Sequence, residues 1–286
     1  MDATQPKLLL GLIGAGIQAS RTPAMQEQEA AHHGIRCIYQ LIDIEKLKLP
    51  VGWLPELLIG AERMGFSGLN ITHPVKQDIV KYLTDLSEDA RTLGAVNTVL
   101  LRDGKRIGYN TDWWGFAEAF RHGMPGAKLD RVVQMGAGGA GAATAFAALR
   151  LGVKHLTVFD LDPDRAEALA ENLEVRFGGN RIHAGEDIGA AMKRADGLIH
   201  ATPTGMAKHP GLPLPAALLR PELWVADIVY FPMETELLRA ARRTGCRTLD
   251  GGGMAVHQAV KSFELFTGAA GDVGRMAEHF ASLAPA

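Results

Sequence analysis

The sequence predicts an α/β protein with two α/β domains, and three observations predict it. Apolar runs typical of strands alternate with segments of helical periodicity along nearly the whole chain, which favours mostly parallel sheets. The length of 286 residues is one at which a single core tends to divide in two. A glycine-rich turn near the middle of the chain, described below, marks the start of the second unit.

The predicted elements follow from these runs in order. Eight apolar segments are typical of strands, near residues 8–13, 35–43, 66–71, 96–101, 131–135, 155–160, 196–200 and 223–229. Thr22-Pro23 and His73-Pro74 each place a proline where a helix can start, because its fixed φ suits the first helical position and its missing N–H costs nothing there. We therefore expect a helix to begin at each of these prolines.

The glycine-rich turn is the hexapeptide Gly136-Ala137-Gly138-Gly139-Ala140-Gly141, which lies between the strand at 131–135 and an alanine-rich helical segment. Glycines here allow a tight turn, close approach of the backbone to a pyrophosphate, and close packing of the helix on the strand. The helix N-terminus offers free N–H groups and a partial positive charge to phosphates. Because the chain holds 33 glycines, the motif alone is weak, and its position between strand and helix carries the prediction of a Rossmann-type domain.

An acidic residue at the end of the next predicted strand indicates which dinucleotide is bound. Asp160 lies 24 residues after Gly136, near the offset of about 20 at which such folds place the acid that binds the ribose hydroxyls. A carboxylate there repels the 2′-phosphate of NADP, which usually requires an arginine nearby. Leu161 follows instead, and Asp162-Pro163 is typical of a helix cap. The sequence therefore predicts NAD and disfavours NADP, with Arg165 as the cation that could still reach a phosphate.

The Rossmann-type unit begins near Arg131, so the residues before it must form something else. We expect a substrate-binding and catalytic domain at 1–112 and a dinucleotide-binding domain at 113–249. Residues 250–286 follow the nucleotide-domain pattern and are expected to form C-terminal helices that pack back on the first domain.

The composition excludes several classes of partner. The net charge is −2 with basic and acidic residues interspersed, so the chain offers no extended basic stripe to nucleic acid or to a membrane surface. No apolar run approaches the roughly 18 residues of a membrane span. Cys37 and Cys246 lack the spacing of metal ligands and are expected to be buried free thiols, so no metal site is predicted. We expect a cytoplasmic protein, and the oligomeric state stays open, with a homodimer as one option.

Polar residues cluster where apolar segments of the first domain end. Asn70 and Thr72 precede the predicted helix start at Pro74, and Lys76 falls in its first turn, where the helix dipole disfavours a cation. An unfavourable lysine there invites a functional interpretation. Further polar residues of this kind are Ser20, Arg21, Thr22, Asn97, Thr98, Asn110, Thr111 and Asp112. A pocket of hydroxyl and amide groups with one Lys/Asp pair suits a small polyol or hydroxy acid.

Taken in chain order, these motifs resemble the shikimate/quinate dehydrogenase family over nearly the whole chain. The matching segments are Ser20-Arg21-Thr22-Pro23, Asn70-Ile71-Thr72-His73-Pro74-Val75-Lys76, Gly94-Ala95-Val96-Asn97-Thr98, Asn110-Thr111-Asp112, Gly136-Ala137-Gly138-Gly139-Ala140, Ala201-Thr202-Pro203 and Gln258. The resemblance is specific because the motifs of the first domain are independent of the common dinucleotide turn. It implies two α/β domains, the second of Rossmann type, and NAD-dependent reversible oxidation of shikimate, and of quinate, by hydride transfer.

The resemblance also implies a role for each matching residue. Ser20 and Thr22 would hold the carboxylate of a cyclitol carboxylic acid, Thr72, Asn97 and Gln258 its ring hydroxyls, with Asn70 and Tyr230 beside them. Gly136, Gly138, Gly139 and Ala140 would hold the pyrophosphate, Asp160 and Arg165 the adenosine ribose, and Thr202, Pro203, Ile228 and Gly251 the nicotinamide end. Because a base must reach the hydroxyl proton as the hydride leaves, Lys76 is the catalytic candidate, coupled to Asp112.

Departures from the family pattern bear on cofactor and substrate. Many members that use NADP carry a basic residue at the position of Leu161 and a second serine at the position of Thr22. The residues found here resemble the NAD-using quinate/shikimate branch. The run Gly251-Gly252-Gly253 leaves the loop geometry at the nicotinamide end open, with a flexible helix entry as the plain alternative.

Three other functions stay open from the sequence. A methylene-tetrahydrofolate dehydrogenase shares the two-domain layout, but its pterin pocket is expected to need stacking aromatics, and only 6% of this chain is aromatic. An aminoshikimate dehydrogenase of the same family is not separated by sequence. A non-catalytic NAD-binding sensor is disfavoured because a sensor has no need of the Lys76/Asp112 pair.

Overall fold

The structure, a computed structural model, describes residues 6–283 and divides into two compact units. Within the described residues, the first unit contains 6–111 and 258–283, and the second contains 112–257. Each unit has one six-stranded sheet, so the predicted α/β class with two α/β domains is confirmed.

The strands of the first unit are β1 (Lys7–Gly14), β2 (Arg36–Asp43), β3 (Gly68–Ile71), β4 (Asp85–Leu86), β5 (Thr98–Arg102) and β6 (Lys105–Tyr109). They form a mixed sheet in the order β2-β1-β3-β5-β6-β4. Three of its five pairings are parallel, β1 with β2, β1 with β3 and β4 with β6, whereas β5 pairs antiparallel with β3 and with β6. The helices are α1 (Thr22–His32), α2 (Leu54–Arg63) and α3 (Glu88–Leu93), with 3₁₀ turns at Val51–Trp53 and Asp78–Tyr82.

The sheet of the second unit is parallel throughout, with strand order β12-β11-β10-β7-β8-β9. The chain starts in the middle at β7, runs out to β9, and returns to β10 on the other side, so the strand order reverses between β7 and β10. Ligands of such sheets bind at the carboxyl ends of the strands beside this reversal. The strands are β7 (Arg131–Met135), β8 (His155–Phe159), β9 (Ile182–Ala184), β10 (Gly197–His200), β11 (Trp224–Asp227) and β12 (Arg247–Leu249).

The helices of the second unit are α4 (Asp112–Gly123), α5 (Gly139–Leu151), α6 (Pro163–Phe177), α7 (Ile188–Arg194) and α8 (Glu236–Thr244). Residues 141–149 of α5, most of them alanines, are buried. Leu156 and Val158 of β8 are fully buried. Asp162 caps α6 through Asp164 N–H, with Pro163 in the first turn, as the sequence predicts.

The C-terminal helices are α9 (Gly251–Thr267) and α10 (Val273–Ser282), and the residues from Gln258 onward belong to the first unit. Phe266 packs so closely on Gly68 of β3 that a β-carbon there would collide with its ring. Arg275 of α10 donates to the buried Glu29 of α1 at 2.6 and 2.8 Å. The return of these helices to the first domain is therefore confirmed.

All eight predicted strands are present, and four short strands were missed: β4, β6, β9 and β12. The helix predicted at Thr22-Pro23 begins there. The helix predicted at His73-Pro74 is wrong, because Val75 N–H donates to Thr72 O at 3.1 Å, which closes a turn, and helical structure begins only at Asp78. Lys76 lies in the turn before the 3₁₀ segment Asp78–Tyr82, so the argument from the dipole of a helix beginning at Pro74 is wrong as well.

Two observations concern the exclusions drawn from composition. Among residues 6–283, no helix is both long and apolar enough to cross a membrane. Both cysteines are free, but Cys246 alone is buried, whereas Cys37 is only half-buried. Burial raises the pKa of the Cys37 thiol to about 12, so it stays protonated at neutral pH.

Candidate active site

The glycine turn of the second unit joins β7 to α5 and has the backbone that the sequence predicts. Gly136 has φ of +103°, and a β-carbon on it would collide with the carbonyl oxygen of Ala201. A β-carbon on Gly141 would collide with Gly136 O. Gly138 is the N-cap residue of α5 and supplies no side-chain cap, and a helix start of this kind can offer the backbone N–H groups of its first turn to an anion.

A buried glutamine holds this turn, and sequence reasoning missed it. Gln134 of β7 is completely buried, and its amide nitrogen donates to Gly136 O at 2.9 Å and to Gly141 O at 2.8 Å. The amide oxygen accepts from the Thr144 hydroxyl at 2.9 Å. The sequence signal for this role was a polar residue, Gln134, within an otherwise apolar strand. A buried side-chain amide needs hydrogen-bond partners, and the glycine turn supplies them.

Asp160 lies at the end of β8, beside the glycine turn. Its Oδ2 accepts from Ala137 N–H at 2.7 Å, and its Oδ1 accepts from Asp162 N–H at 3.1 Å. Leu161, the next residue, is fully exposed. Arg165 of α6 is exposed, and its Nη2 lies 3.5 Å from the position of a β-carbon on Gly138, the nearest atom to that position. A free helix N-terminus, a carboxylate and a guanidinium thus surround one open turn, and this set fits a dinucleotide.

The residues predicted at the nicotinamide end also lie at carboxyl ends of strands. Thr202 follows β10, and Ile228 follows β11. Gly251, the first residue of α9, packs against Ile228 so closely that a β-carbon would collide with Ile228 O. Pro203 is exposed and follows Thr202 directly.

The three consecutive glycines at 251–253 are each in tight contact, which answers the question left open by the sequence. A β-carbon on Gly252 would lie 2.6 Å from Met233 Cε, and one on Gly253 would lie 3.0 Å from Ala119 Cβ. All three belong to the first turn of α9. The run is therefore a closely packed helix start rather than a flexible loop.

A buried hydrogen-bond network joins the polar residues of the first unit. The Tyr39 hydroxyl donates to Asn70 Oδ1 at 2.7 Å, and Asn70 Nδ2 donates to the Thr98 hydroxyl at 3.1 Å. Thr98 donates to Asn97 Oδ1 at 3.1 Å, and Asn97 Nδ2 donates to the Thr111 hydroxyl at 2.9 Å. Burial raises the pKa of Tyr39 well above its usual range, so it remains a donor. The network fixes the orientation of the Asn97 amide directly before β5.

Other predicted residues of the first unit lie on loops and helix starts. Thr22 begins α1 and donates its N–H to Ser20 Oγ at 3.3 Å. Thr72 donates its N–H to Ile13 O at 2.9 Å, which extends the pairing of β1 and β3. Lys76 accepts Val96 N–H at its carbonyl, and its side chain is half-buried.

The last three predicted residues lie at the start of α4, after β11 and in the middle of α9. Asp112 is buried at the start of α4, directly after Thr111. Tyr230 is 37% exposed and lies after β11. Gln258 lies in α9 and is half-buried.

Comparisons with protein-family models match three segments of the chain, two of them to shikimate dehydrogenase domains. Residues 12–99 match the family "Shikimate dehydrogenase substrate binding domain", and residues 251–279 match "Shikimate 5'-dehydrogenase C-terminal domain". Residues 119–218 match "Alanine dehydrogenase/PNT, C-terminal domain".

Similar proteins cover nearly the full chain. The shikimate dehydrogenase (NADP(+)) of Streptomyces avermitilis is 54% identical, over 98% of this chain and 97% of its own. The quinate/shikimate dehydrogenase (NAD(+)) of Corynebacterium efficiens is 48% identical, over 96% of this chain and 98% of its own. Among solved structures, the quinate dehydrogenase from Corynebacterium glutamicum in complex with NAD has a TM-score of 0.91 and 47% identity, over 97% of this chain and 100% of its own.

Proposed function

Since this chain belongs to the shikimate/quinate dehydrogenase family, and is thus an oxidoreductase that uses a nicotinamide nucleotide, we propose the following reaction. The protein catalyses the NAD-dependent, reversible oxidation of shikimate to 3-dehydroshikimate and of quinate to 3-dehydroquinate. The observation that carries this choice is the carboxylate of Asp160, hydrogen-bonded to the glycine turn at Ala137 N–H.

The preference for NAD follows from charge at the end of β8. A 2′-phosphate that came within about 5 Å of the Asp160 carboxylate would be repelled by roughly 1–3 kcal/mol per unit charge, depending on how much water screens the pair. That range corresponds to a discrimination of about fivefold to 150-fold. Relatives named for NADP and for NAD are similarly identical to this chain, so overall identity does not choose the cofactor. The preference for NAD instead rests on the local residues Asp160 and Leu161.

We assign Arg165 to the pyrophosphate rather than to a 2′-phosphate. Its Nη2 lies beside Gly138, at the N-terminus of α5 where phosphates bind. A guanidinium there adds two charge-assisted hydrogen bonds to an anion shared by NAD and NADP. The arginine therefore contributes to affinity for both dinucleotides and not to the choice between them.

The bound nicotinamide supplies the hydride acceptor, and the first unit supplies the groups that hold the cyclitol acid. Ser20 and Thr22 at the start of α1 bind its carboxylate, Thr72, Asn97 and Gln258 bind ring hydroxyls, and Tyr230 is also assigned to the substrate. Asn70 affects the substrate indirectly, by holding Asn97 in place. The oxygen and the nitrogen of its side-chain amide both already have hydrogen-bond partners in the protein.

Lys76 and Asp112 handle the proton of the hydroxyl that is oxidised. Loss of a hydride leaves a proton on that oxygen, and a base within hydrogen-bond reach must remove it. Lys76 takes that proton and stabilises alkoxide character, and Asp112, buried at the start of α4, orients the hydroxyl. Neither role needs a metal.

The test of this assignment compares Lys76→Met and Asp112→Asn with the wild-type protein. We expect kcat for shikimate oxidation to fall by about 10²-fold or more in each variant, because positioned acid–base groups contribute that much. The affinity for NADH, measured by titration, should stay within twofold. Lys81→Met is the matched control, since Lys81 is an exposed lysine five positions further along, and it should leave kcat unchanged. A kcat for Lys76→Met within a few-fold of wild type would contradict the role of Lys76.

The same experiment separates the alternatives that the sequence left open. Turnover of an aminoshikimate in place of shikimate and quinate would move the substrate assignment within the family. Binding of NADH without turnover of any cyclitol acid would favour a sensor. The comparisons lend support to neither alternative.

A further inference from the structure

A buried polar chain lies at the carboxyl ends of β10 and β11, and the reaction proposed above does not use it. His200 is completely buried, with Nδ1 2.9 Å from Asp227 Oδ1 and Nε2 2.6 Å from the Thr202 hydroxyl. Asp227 and Thr235 are each 1% exposed, and the Thr235 hydroxyl donates to Asp227 Oδ2 at 2.7 Å. Buried polar groups are costly to leave unpaired, and here each has a partner.

The partners determine where the hydrogens lie. Thr235 accepts Leu238 N–H at 3.2 Å as the cap of α8, so its own hydroxyl hydrogen goes to Asp227. Val229 N–H donates to Asp227 Oδ1 at 3.0 Å. Asp227 thus accepts at both oxygens, and His200 Nδ1 must carry a hydrogen to bond it.

In the ring tautomer whose one hydrogen is on Nδ1, Nε2 is an acceptor. Thr202 therefore donates its hydroxyl hydrogen to His200, and its oxygen is left to accept. Thr204 N–H donates to one lone pair of the Thr202 hydroxyl oxygen, with the nitrogen 3.3 Å from that oxygen. The other is available to a ligand, so the ring of His200 determines that Thr202 presents an acceptor rather than a donor.

We propose that His200, held by Asp227, is a positioning residue that fixes the Thr202 hydroxyl as an acceptor for the carboxamide NH₂ of the bound nicotinamide. This inference rests on the proposed function, which assigns Thr202 to the nicotinamide end. A hydroxyl free to rotate could bond either the NH₂ or the oxygen of the carboxamide, so it would not set the rotation of that group. A hydroxyl that can only accept selects the NH₂ side.

A purely structural role for His200, tying β10 to β11, makes different predictions from the positioning role. His200→Asn keeps an N–H donor near the position of Nδ1 for Asp227 but removes the partner of Thr202. His200→Gln places an amide near the position of Nε2 and so keeps an acceptor for Thr202. Thr202→Val removes the hydroxyl with little change in shape. These variants separate the two ends of the imidazole.

The experiment measures the dissociation constants of NADH and of ADP-ribose, which lacks the nicotinamide, for each variant. We expect His200→Asn to weaken NADH binding about fivefold to tenfold, the worth of one hydrogen bond, and to change ADP-ribose binding less than twofold. In the Thr202→Val background, His200→Asn should have no further effect on NADH, because both changes act through the same hydroxyl. His200→Gln should keep the wild-type ratio of the two constants, even where its melting temperature falls.

Four outcomes would overturn the inference. An equal loss of affinity for NADH and ADP-ribose would make His200 a part of the framework only. Additive effects of His200→Asn and Thr202→Val on NADH binding would show that the histidine does not act through the threonine. If His200→Asn does not fold, a loss of the NADH to ADP-ribose ratio in His200→Gln would have the same meaning. Wild-type protein that binds neither ligand would instead overturn the proposed function, and this inference with it.

Discussion

Replacing Gln134 by leucine should destabilise the second unit and loosen the glycine turn at once. The side chain is completely buried, and the two residues are similar in volume, so the change removes hydrogen bonds without opening a large cavity. The lost bonds are those from the amide nitrogen to Gly136 O and Gly141 O, and the one accepted from the Thr144 hydroxyl.

The magnitude follows from counting these bonds. Thr144 Oγ1 also lies 3.0 Å from Gly141 O, so in the variant its one hydroxyl hydrogen turns to that carbonyl and both groups retain a partner. Gly136 O instead loses the hydrogen bond from the Gln134 amide. With each of the two amide N–H bonds worth about 1 kcal/mol and a further penalty for a buried carbonyl, the loss is roughly 2–3 kcal/mol. Thr144→Val removes one donor only and should cost about 1 kcal/mol.

Urea unfolding followed by fluorescence of the buried Trp224 measures this change in the unit that contains it. Gln40→Leu is the matched control, because Gln40 is an exposed glutamine whose amide also bonds a backbone carbonyl. That control should change the free energy of unfolding by less than about 0.5 kcal/mol. A loss below about 1 kcal/mol for Gln134→Leu, or an equal loss for Gln40→Leu, would refute the view that Gln134 holds the turn.

Two further predictions concern charge. Asp160→Asn keeps an acceptor for Ala137 N–H but removes the negative charge, so the kcat/KM ratio of NAD to NADP should fall about tenfold; an unchanged ratio would contradict the role of Asp160. Burial raises the pKa of Glu29, but hydrogen bonds from Arg275, Asp272 N–H and His33 outweigh it and hold that pKa below 4.5, so its stabilising contribution is present above pH 4.5 and is lost as the pH falls further. Urea midpoints of the wild type should therefore drop more steeply below pH 4.5 than those of Glu29→Gln, and parallel curves would count against it.

The parts of the fold that the sequence predicted are those with strong local signals. The strand at 131–135, the glycines after it and the alanine-rich α5 each follow from residue types within a short window. Strands β9 and β12 were missed because a strand of three residues is too short to show an alternation of polar and apolar residues. Strand β6 was missed because its lysine, arginine and tyrosine are only partly buried or exposed, so it is not an apolar run. Propensity gives little information at such short elements.

Two local interpretations failed for a different reason. A proline after His73 fits a helix start as well as a turn, and only the surrounding structure selects the cis bond found there. The bonds of His200 to Asp227 and of Tyr39 to Asn70 join residues that are far apart in sequence, so no local pattern reveals them. The residue types that line the candidate site were accessible from sequence, whereas the residues that hold them in place were not.

The most direct test of the account compares kcat/KM for shikimate and for quinate, each with NAD and with NADP, on one preparation of the wild-type protein. The account predicts turnover of both acids and a value with NAD at least about fivefold above that with NADP, the lower end of the repulsion expected from Asp160. Activity confined to shikimate with NADP would contradict the role given to Asp160 and Leu161. No turnover of either acid with either dinucleotide would contradict the proposed reaction itself.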